Sequence, residues 1–270
     1  IKYIEDNLCE EISYKKMSQI LGVNEYTMHR IFLFVTNYTL ADYIRKMVTS
    51  RHGRYMIFFP SYSYMQSVYD IYIKKYESTI LELSAALNDE NTAKKGQEQQ
   101  REQQKEYEGK AVYNIIKQPS NMKEADKESF LSLFMENEKT DIAGFCVLGG
   151  IFSEGIDLRG DALIGVAVVG TGIPMVCRQR NILRDYFDSH GKNGYQYAYV
   201  YPGMNKVLQA AGRVIRTDND KGIILLLDDR FLTKEYELQY PREWDKIYPC
   251  DAGCVSEYID DFWKGMTADD

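Results

Sequence analysis

The stretch GFCVLGGIFSEGIDLRGDALIGVAVVGTGIPM, from Gly144 to Met175, decides the fold class. It holds two uninterrupted apolar runs, Gly144–Gly150 and Leu163–Gly170, joined by a glycine-rich loop. A strand with one face in water alternates apolar and polar side chains, whereas a strand covered on both faces is apolar throughout. These runs are of the second kind. Working outward, YMIFF at Tyr55–Phe59, VYNIIK at Val112–Lys117 and GIILLLDD at Gly222–Asp229 read as further strands. Helical patterns lie between them at Ser63–Tyr76, Lys127–Asn137, Arg178–His190 and Lys206–Val214. Strands apolar on both faces and separated by helices predict an α/β domain, a parallel sheet with helices on both faces, over residues 51–266.

Composition narrows the function classes. The chain has 270 residues, 44% hydrophobic and 27% charged, with 33 basic against 40 acidic side chains. That mix excludes a wholly disordered chain and a collagen-like repeat. A net charge of -7 excludes a continuous basic coat for nucleic acid and leaves room for a local groove. No apolar run approaches the roughly 20 residues of a membrane span, so no membrane partner is expected. The five cysteines, Cys9, Cys146, Cys177, Cys250 and Cys254, are scattered and odd in number, which suits reduced thiols in a cytoplasm. Cys250 and Cys254 have no second pair nearby to complete a metal site, and no iron–sulfur cluster is expected. Residue 1 is Ile rather than Met, so the start is expected to lie upstream. From Asn88 to Lys110 the text NDENTAKKGQEQQREQQKEYEGK has no apolar periodicity and reads as a polar insert.

Residues 1–48 read as a separate helical segment. Ser13 can cap a helix Tyr14–Leu21, Gly22 and Val23 make a turn, and Asn24 can cap a second helix to Val35. Met28, Ile31, Phe32 and Val35 share a face, leaving Glu25, Tyr26, His29 and Arg30 outward, where a recognition helix meets base edges and phosphates. The text from Ile12 to Ile44 resembles the first helix-turn-helix of AraC/XylS-type transcription regulators, which makes Tyr26, His29 and Arg30 candidate DNA contacts. The second helix-turn-helix of that family is absent, Leu33 stands where the family has a basic residue, and residues 1–50 hold six basic and six acidic side chains. A helical remnant that packs without reading DNA fits the same text.

In open parallel sheets ligands meet the loops at the carboxyl ends of the strands. The loops after Phe59, Leu148 and Val169 read PSYSY, GGIFSEGIDLRGD and GTGIP. The second, Gly149 to Asp161, carries four glycines, a serine and three acids. Its glycines permit close backbone approach, Ser153 and N–H groups can hold a phosphate, and Asp157 can orient an arginine or a water. It also reads as an elaborate turn. Further on, helical spacing puts Gln209, Arg213 and Arg216 on one face, aiming an amide and two guanidiniums at a common point that a nucleotide triphosphate would suit. Two arginines on a helix are also ordinary surface ion-pair partners.

RYMIFFPSYSYM, the Gly144–Met175 stretch, YQYAYVYPGMNKVLQAAGRVIRTDNDKGIILLLDDRF and YPREW together resemble the second RecA-like motor domain of XPD/DinG-type superfamily 2 DNA helicases, from about Arg51 to Trp263. The resemblance implies a RecA-like fold and ATP-dependent DNA unwinding, with repair as its setting. It implies that Ser61 and Tyr62 of PSYSY touch single-stranded or forked DNA. By the same resemblance Ser153, Glu154, Gly155 and Asp157 couple the nucleotide site to the DNA track. Gln209, Gly212, Arg213 and Arg216 would sense the γ-phosphate and supply arginine fingers, with Asp218 or Asp220 orienting them.

The family's first RecA domain, with its Walker A lysine and DEAH-type box for ATP and Mg2+, has no counterpart here. Arginine fingers act on a nucleotide held by the other domain, so hydrolysis by this chain alone is not expected. An alternative is an AraC-like DNA-binding regulator joined, near Thr49 to Gly53, to a non-catalytic helicase fragment, or a fusion left by a truncated gene.

Overall fold

The computed structural model describes residues 39–88, 114–135, 141–152, 158, 162–215, 220–244 and 246–266. Five strands form one sheet: β1 Arg54–Phe59, β2 Asn114–Lys117, β3 Ile142–Val147, β4 Gly165–Val169 and β5 Ile223–Leu227. Their order across the sheet is β2-β3-β1-β4-β5, and every pairing is parallel. The α/β class expected from the apolar runs is the one observed, with strand bounds within two or three residues of the sequence reading.

The pleat of β1 shows why its text is apolar from Tyr55 to Phe59. Tyr55, Ile57 and Phe59 enter one core, Met56 and Phe58 the other. The first core is closed by α1 Leu40–Ser50, α2 Tyr62–Asn88 and the last helix, α7 Val255–Met266. The second is closed by α3 Glu124–Met135 and α5 Tyr201–Ala211, with Phe231 from the short helical turn after β5 and Tyr236 from α6 Lys234–Glu237. Between β4 and α5 the chain makes α4 Arg178–Ser189, which buries no residue of its own, and a π-helical turn Gln196–Val200.

The connection Thr49–Gly53, where the sequence reading placed a join, lies within this packing. Ala41, Ile44, Met47 and Val48 of α1 are at most 1% exposed in the core that holds β1. The Asp141 carboxylate, just before β3, accepts hydrogen bonds from Gly53 N at 2.7 Å and pairs with His52 Nδ1 at 2.7 Å. The Arg51 guanidinium lies 4.0 Å from the Trp263 ring centre, joining α1's end to α7.

A polar knot ties α1 to α2. Asp42 accepts from Thr39 N and Thr39 Oγ1 at the head of α1, pairs with Lys75 at 2.7 Å and accepts the Tyr76 hydroxyl proton. Burial pushes this carboxyl up, but the hydrogen bonds from Lys75, Tyr76 and Thr39 outweigh it and hold the pKa down at about 2.

α5 begins in an unusual way because of Pro202. Proline has no N–H, so the Ala198 carbonyl loses its helical donor. Arg180 Nη1 supplies one at 2.7 Å, and Tyr201 N reaches back to Gln196 O in the wider π register.

Candidate functional site

In a parallel sheet all carboxyl ends lie along one edge, and the loops that carry ligand contacts gather there. At the end of β1 the chain turns at Pro60 and enters α2. Ser61 O accepts from Met65 N at 2.9 Å, and Ser61 Oγ accepts from Tyr64 N at 3.3 Å and lies 3.1 Å from Ser63 Oγ. Ser61 thus completes the first turn of α2, whose amino terminus faces this edge with N–H groups and positive dipole end. Ser61 and Tyr62 are both half-buried.

Behind Tyr62 stands Gln118, the residue after β2, which is 2% exposed. Its Nε2 donates to Tyr62 Oη, its Oε1 accepts from Val147 N at 2.9 Å, and its own N–H donates to Phe145 O at 2.8 Å. One side chain therefore fixes the β1–α2 turn against the end of β3, where the Gly149–Asp161 loop starts. Sequence reasoning missed Gln118; a lone glutamine after an apolar strand carries no signal until its neighbours are known. Burial raises the Tyr62 pKa, with Cys146 adding to it, so the hydroxyl is protonated at neutral pH. Lys206 was also missed. A β-carbon on Gly149, which sits at φ +69°, would fall 2.9 Å from Lys206 Cδ, so this α5 side chain lies over the start of the loop.

The loop after β4 is held from two sides. Gly170 N donates to Leu227 O at 3.1 Å, and Tyr236 donates to Thr171 Oγ1 at 3.5 Å. Gly172, at φ +64°, packs against Gly203 so closely that a β-carbon would lie 2.8 Å from Gly203 O. At the end of β5, Asp228 holds Arg230 by two bonds of 2.8 and 2.7 Å, and that pairing pushes the Arg230 pKa further up.

Gly203 places the start of α5 at the carboxyl edge, and the helix then runs back across the sheet. At its far end a β-carbon on Gly222 would collide with Val214 and come 2.8 Å from Ile164 O, so the turn after α5 sits beside the starts of β4 and β5. Arg213 therefore lies near the amino edge, about one strand length, roughly 17 Å along the strand direction, from the edge that carries Ser61 and Tyr62. The helix stops at Ala211, with Gly212 as its cap and Arg213 in the following turn. The expected helical face is corrected at Arg213, which follows the end of the helix that carries Gln209; Arg216 lies outside the described residues. Gln209 is exposed and Arg213 half-buried. Gly212 has φ -65°, an ordinary helical value, so it ends the helix without a left-handed turn.

Ser153, Glu154, Gly155, Asp157, Arg216 and Asp218 lie outside the described residues, as do Tyr26, His29 and Arg30. Among the described residues no group of His, Cys, Asp and Glu could hold a metal ion, and no helix is long and apolar enough to cross a membrane.

Comparison with known proteins follows the same outline. A protein of Methanocaldococcus jannaschii named "probable ATP-dependent helicase" is 31% identical over 99 residues, covering 33% of this chain and 15% of that protein. The ATP-dependent DNA helicase DinG of Photobacterium profundum is 34% identical over 89 residues, covering 32% of this chain and 13% of that protein. The matched part of the chain thus spans about one seventh of the length of these relatives. A solved structure titled XPD_APO superposes with a TM-score of 0.48 at 21% identity, covering 73% of this chain and 33% of the other. The family model for the helicase C-terminal domain matches residues 44–247, most of the sequence, and the chain belongs to that family.

Proposed function

We propose that the chain is the second motor half of an ATP-dependent DNA helicase, with the single-stranded DNA track along the carboxyl edge of its sheet. The observation that carries this reading is the β1–α2 turn, where a helix amino terminus, the Ser61–Ser63 hydroxyl pair and Tyr62 meet in a family of helicase domains. Such a turn accepts a phosphate oxygen without a cationic side chain, which suits an acidic protein.

ATP with Mg2+, held by a first RecA-like domain, supplies the phosphoryl group in this proposal. Arg213, with Arg216 and Gln209 beside it, would stabilise charge on that group from the amino edge, while Asp157 and Gly155 would relay its state to the DNA loops. Nucleotide and DNA then sit at different edges, joined by β4 and α5. Unwinding in DNA repair, and a cytoplasmic setting in which thiols such as Cys146 stay reduced, belong to the same reading. For DNA contacts by Tyr26, His29 and Arg30 the support is the sequence resemblance alone.

The test is ATP turnover by the purified chain, with and without single-stranded DNA, and again after adding the first RecA domain of a related helicase. Silence alone and DNA-stimulated turnover on mixing is the expected pattern. Turnover by the chain alone would overturn the half-site reading, and a chain that binds no DNA and stays silent on mixing would overturn the function.

A further inference from the structure

The amide of Gln118 can be oriented in only one way. Val147 N–H is a donor at 2.9 Å, so the atom facing it must be the acceptor Oε1. The other end, Nε2, is then a donor, and Tyr62 Oη must accept from it. A phenol that accepts at its oxygen keeps its own proton for another partner. Tyr62 is half-buried beside Ser61 at the amino terminus of α2, which leaves that proton for a ligand at this turn.

We propose that Gln118 is a positioning residue that fixes the direction of the Tyr62 hydroxyl, committing its proton to an anionic oxygen, a DNA phosphate, at the β1–α2 turn. This rests on the functional reading above and adds to it a residue and a hydrogen-bond polarity. A carboxylate in place of the amide would still accept from Val147 N–H, but its second oxygen would also accept, drawing the Tyr62 proton inward. The outward donor would be lost with little change of shape.

The test uses the full chain and a fluorescein-labelled oligodeoxythymidylate, with affinity read by anisotropy over a range of salt concentrations. Tyr62→Phe should weaken binding about tenfold, the scale of one hydrogen bond to a charged group. Gln118→Glu should weaken it comparably, and the double variant should bind no worse than Tyr62→Phe. The salt slope should stay constant through the set, because no cation–phosphate contact is removed; a general loosening of the loops would lower it. Gln118→Met, which leaves the hydroxyl proton free but unsteered, should lose about two- to threefold, a loss that vanishes in the Tyr62→Phe background; that cycle carries the test if thermal melting shows the carboxylate variant unfolded, and a Met loss that persists there would overturn the proposal.

A Gln118→Glu defect that persists in the Tyr62→Phe background would overturn the proposal, as would a Met variant weaker than the Glu variant. Either would mean that charge or packing, not proton direction, is at work, while a Tyr62→Phe defect would still stand for the contact itself. Wild-type affinity in Tyr62→Phe removes that contact, and no binding by the wild-type chain removes the functional reading beneath it.

Discussion

Replacing Gly203 by alanine sets two effects of opposite sign against each other. Alanine favours a helix by about 1 kcal/mol over glycine, and by less in a first turn such as this one. Against that, the new methyl would lie 2.6 Å from Thr171 O and 3.0 Å from Ile173 N. Both are backbone atoms, so no side chain can swing aside. An ordinary carbon–oxygen contact is about 3.3 Å, and the loop must retreat by roughly 0.7 Å while still held by the Tyr236–Thr171 and Gly170–Leu227 bonds. Overpacking of this kind costs about 1–3 kcal/mol. The net expectation for Gly203→Ala is a loss of about 1–2 kcal/mol, or roughly 2–8 °C in Tm for a domain of this size. Gly203→Val should lose more. Urea unfolding followed by tryptophan fluorescence measures the loss, with an unchanged m value showing that the denatured state is unaltered. Gly203→Ala melting at or above wild type would refute the reasoning, since it would mean that helix propensity dominates and that the loop after β4 is not pressed against α5.

Other consequences can be checked in the same way. Asp42→Asn should cost about 1–2 kcal/mol at neutral pH, a figure already reduced because Lys75 is partly exposed. Asp42's native pKa of about 2 lies below its ordinary 3.8, so its stabilisation is full above about pH 4 and lost as pH falls towards 2; denaturation curves of the two proteins should converge over that window. Arg180→Met should cost about 1–2 kcal/mol by stripping the buried Ala198 carbonyl of its donor, and much less in a Pro202→Ala background, where the backbone N–H returns; equal losses in both backgrounds would show that Arg180 acts elsewhere. Trp263→Ala should cost about 3–5 kcal/mol and expose α1 to proteolysis, because it empties the space between α7, α1 and the Arg51 guanidinium. Arg213→Ala should abolish turnover in the motor reconstituted with a first RecA domain while leaving single-stranded DNA affinity unchanged, since the two lie at opposite edges of the sheet; unchanged turnover would remove Arg213 from the proposed role.

What was legible in the sequence was the sheet. Both faces of β1, β3 and β4 are covered, so apart from Arg54 at the start of β1 their positions are apolar, and a continuous apolar run announces itself without knowledge of its neighbours. Helix ends were harder. α5 read as Lys206–Val214 because Val207, Ala210, Ala211 and Val214 are all buried, yet Gly212 ends it, and its true start at Tyr201 is obscured by Pro202, whose missing N–H is made good by an arginine two elements earlier. α1 was read together with the N-terminal segment because its amphipathic text fits any helical bundle; only its neighbours, α7 and β1, place it in this core. Within the site, hydroxyl and glycine motifs such as PSYSY and GTGIP could be singled out because turns restrict residue type. Gln118 and Lys206 could not, since a buried amide and a lysine stem acquire a role only through partners 29 to 57 residues away.

The strand order carries a cost in time. β1 is made first and lies at the centre of the sheet, but its partners β3 and β4 come later, and Phe59 pairs with Val147, 88 residues further on. At roughly 5–20 residues per second of synthesis, the segment RYMIFF waits on the order of 4–18 s with both edges unpaired. Of the described helices, α1 and α2 are made beside it and cover one face, whereas α3, which helps to close the other, comes 65 or more residues after Phe59. The exposed face, Met56 and Phe58, is where a growing chain of this protein is most open to chaperone capture or to pairing with a second copy of itself.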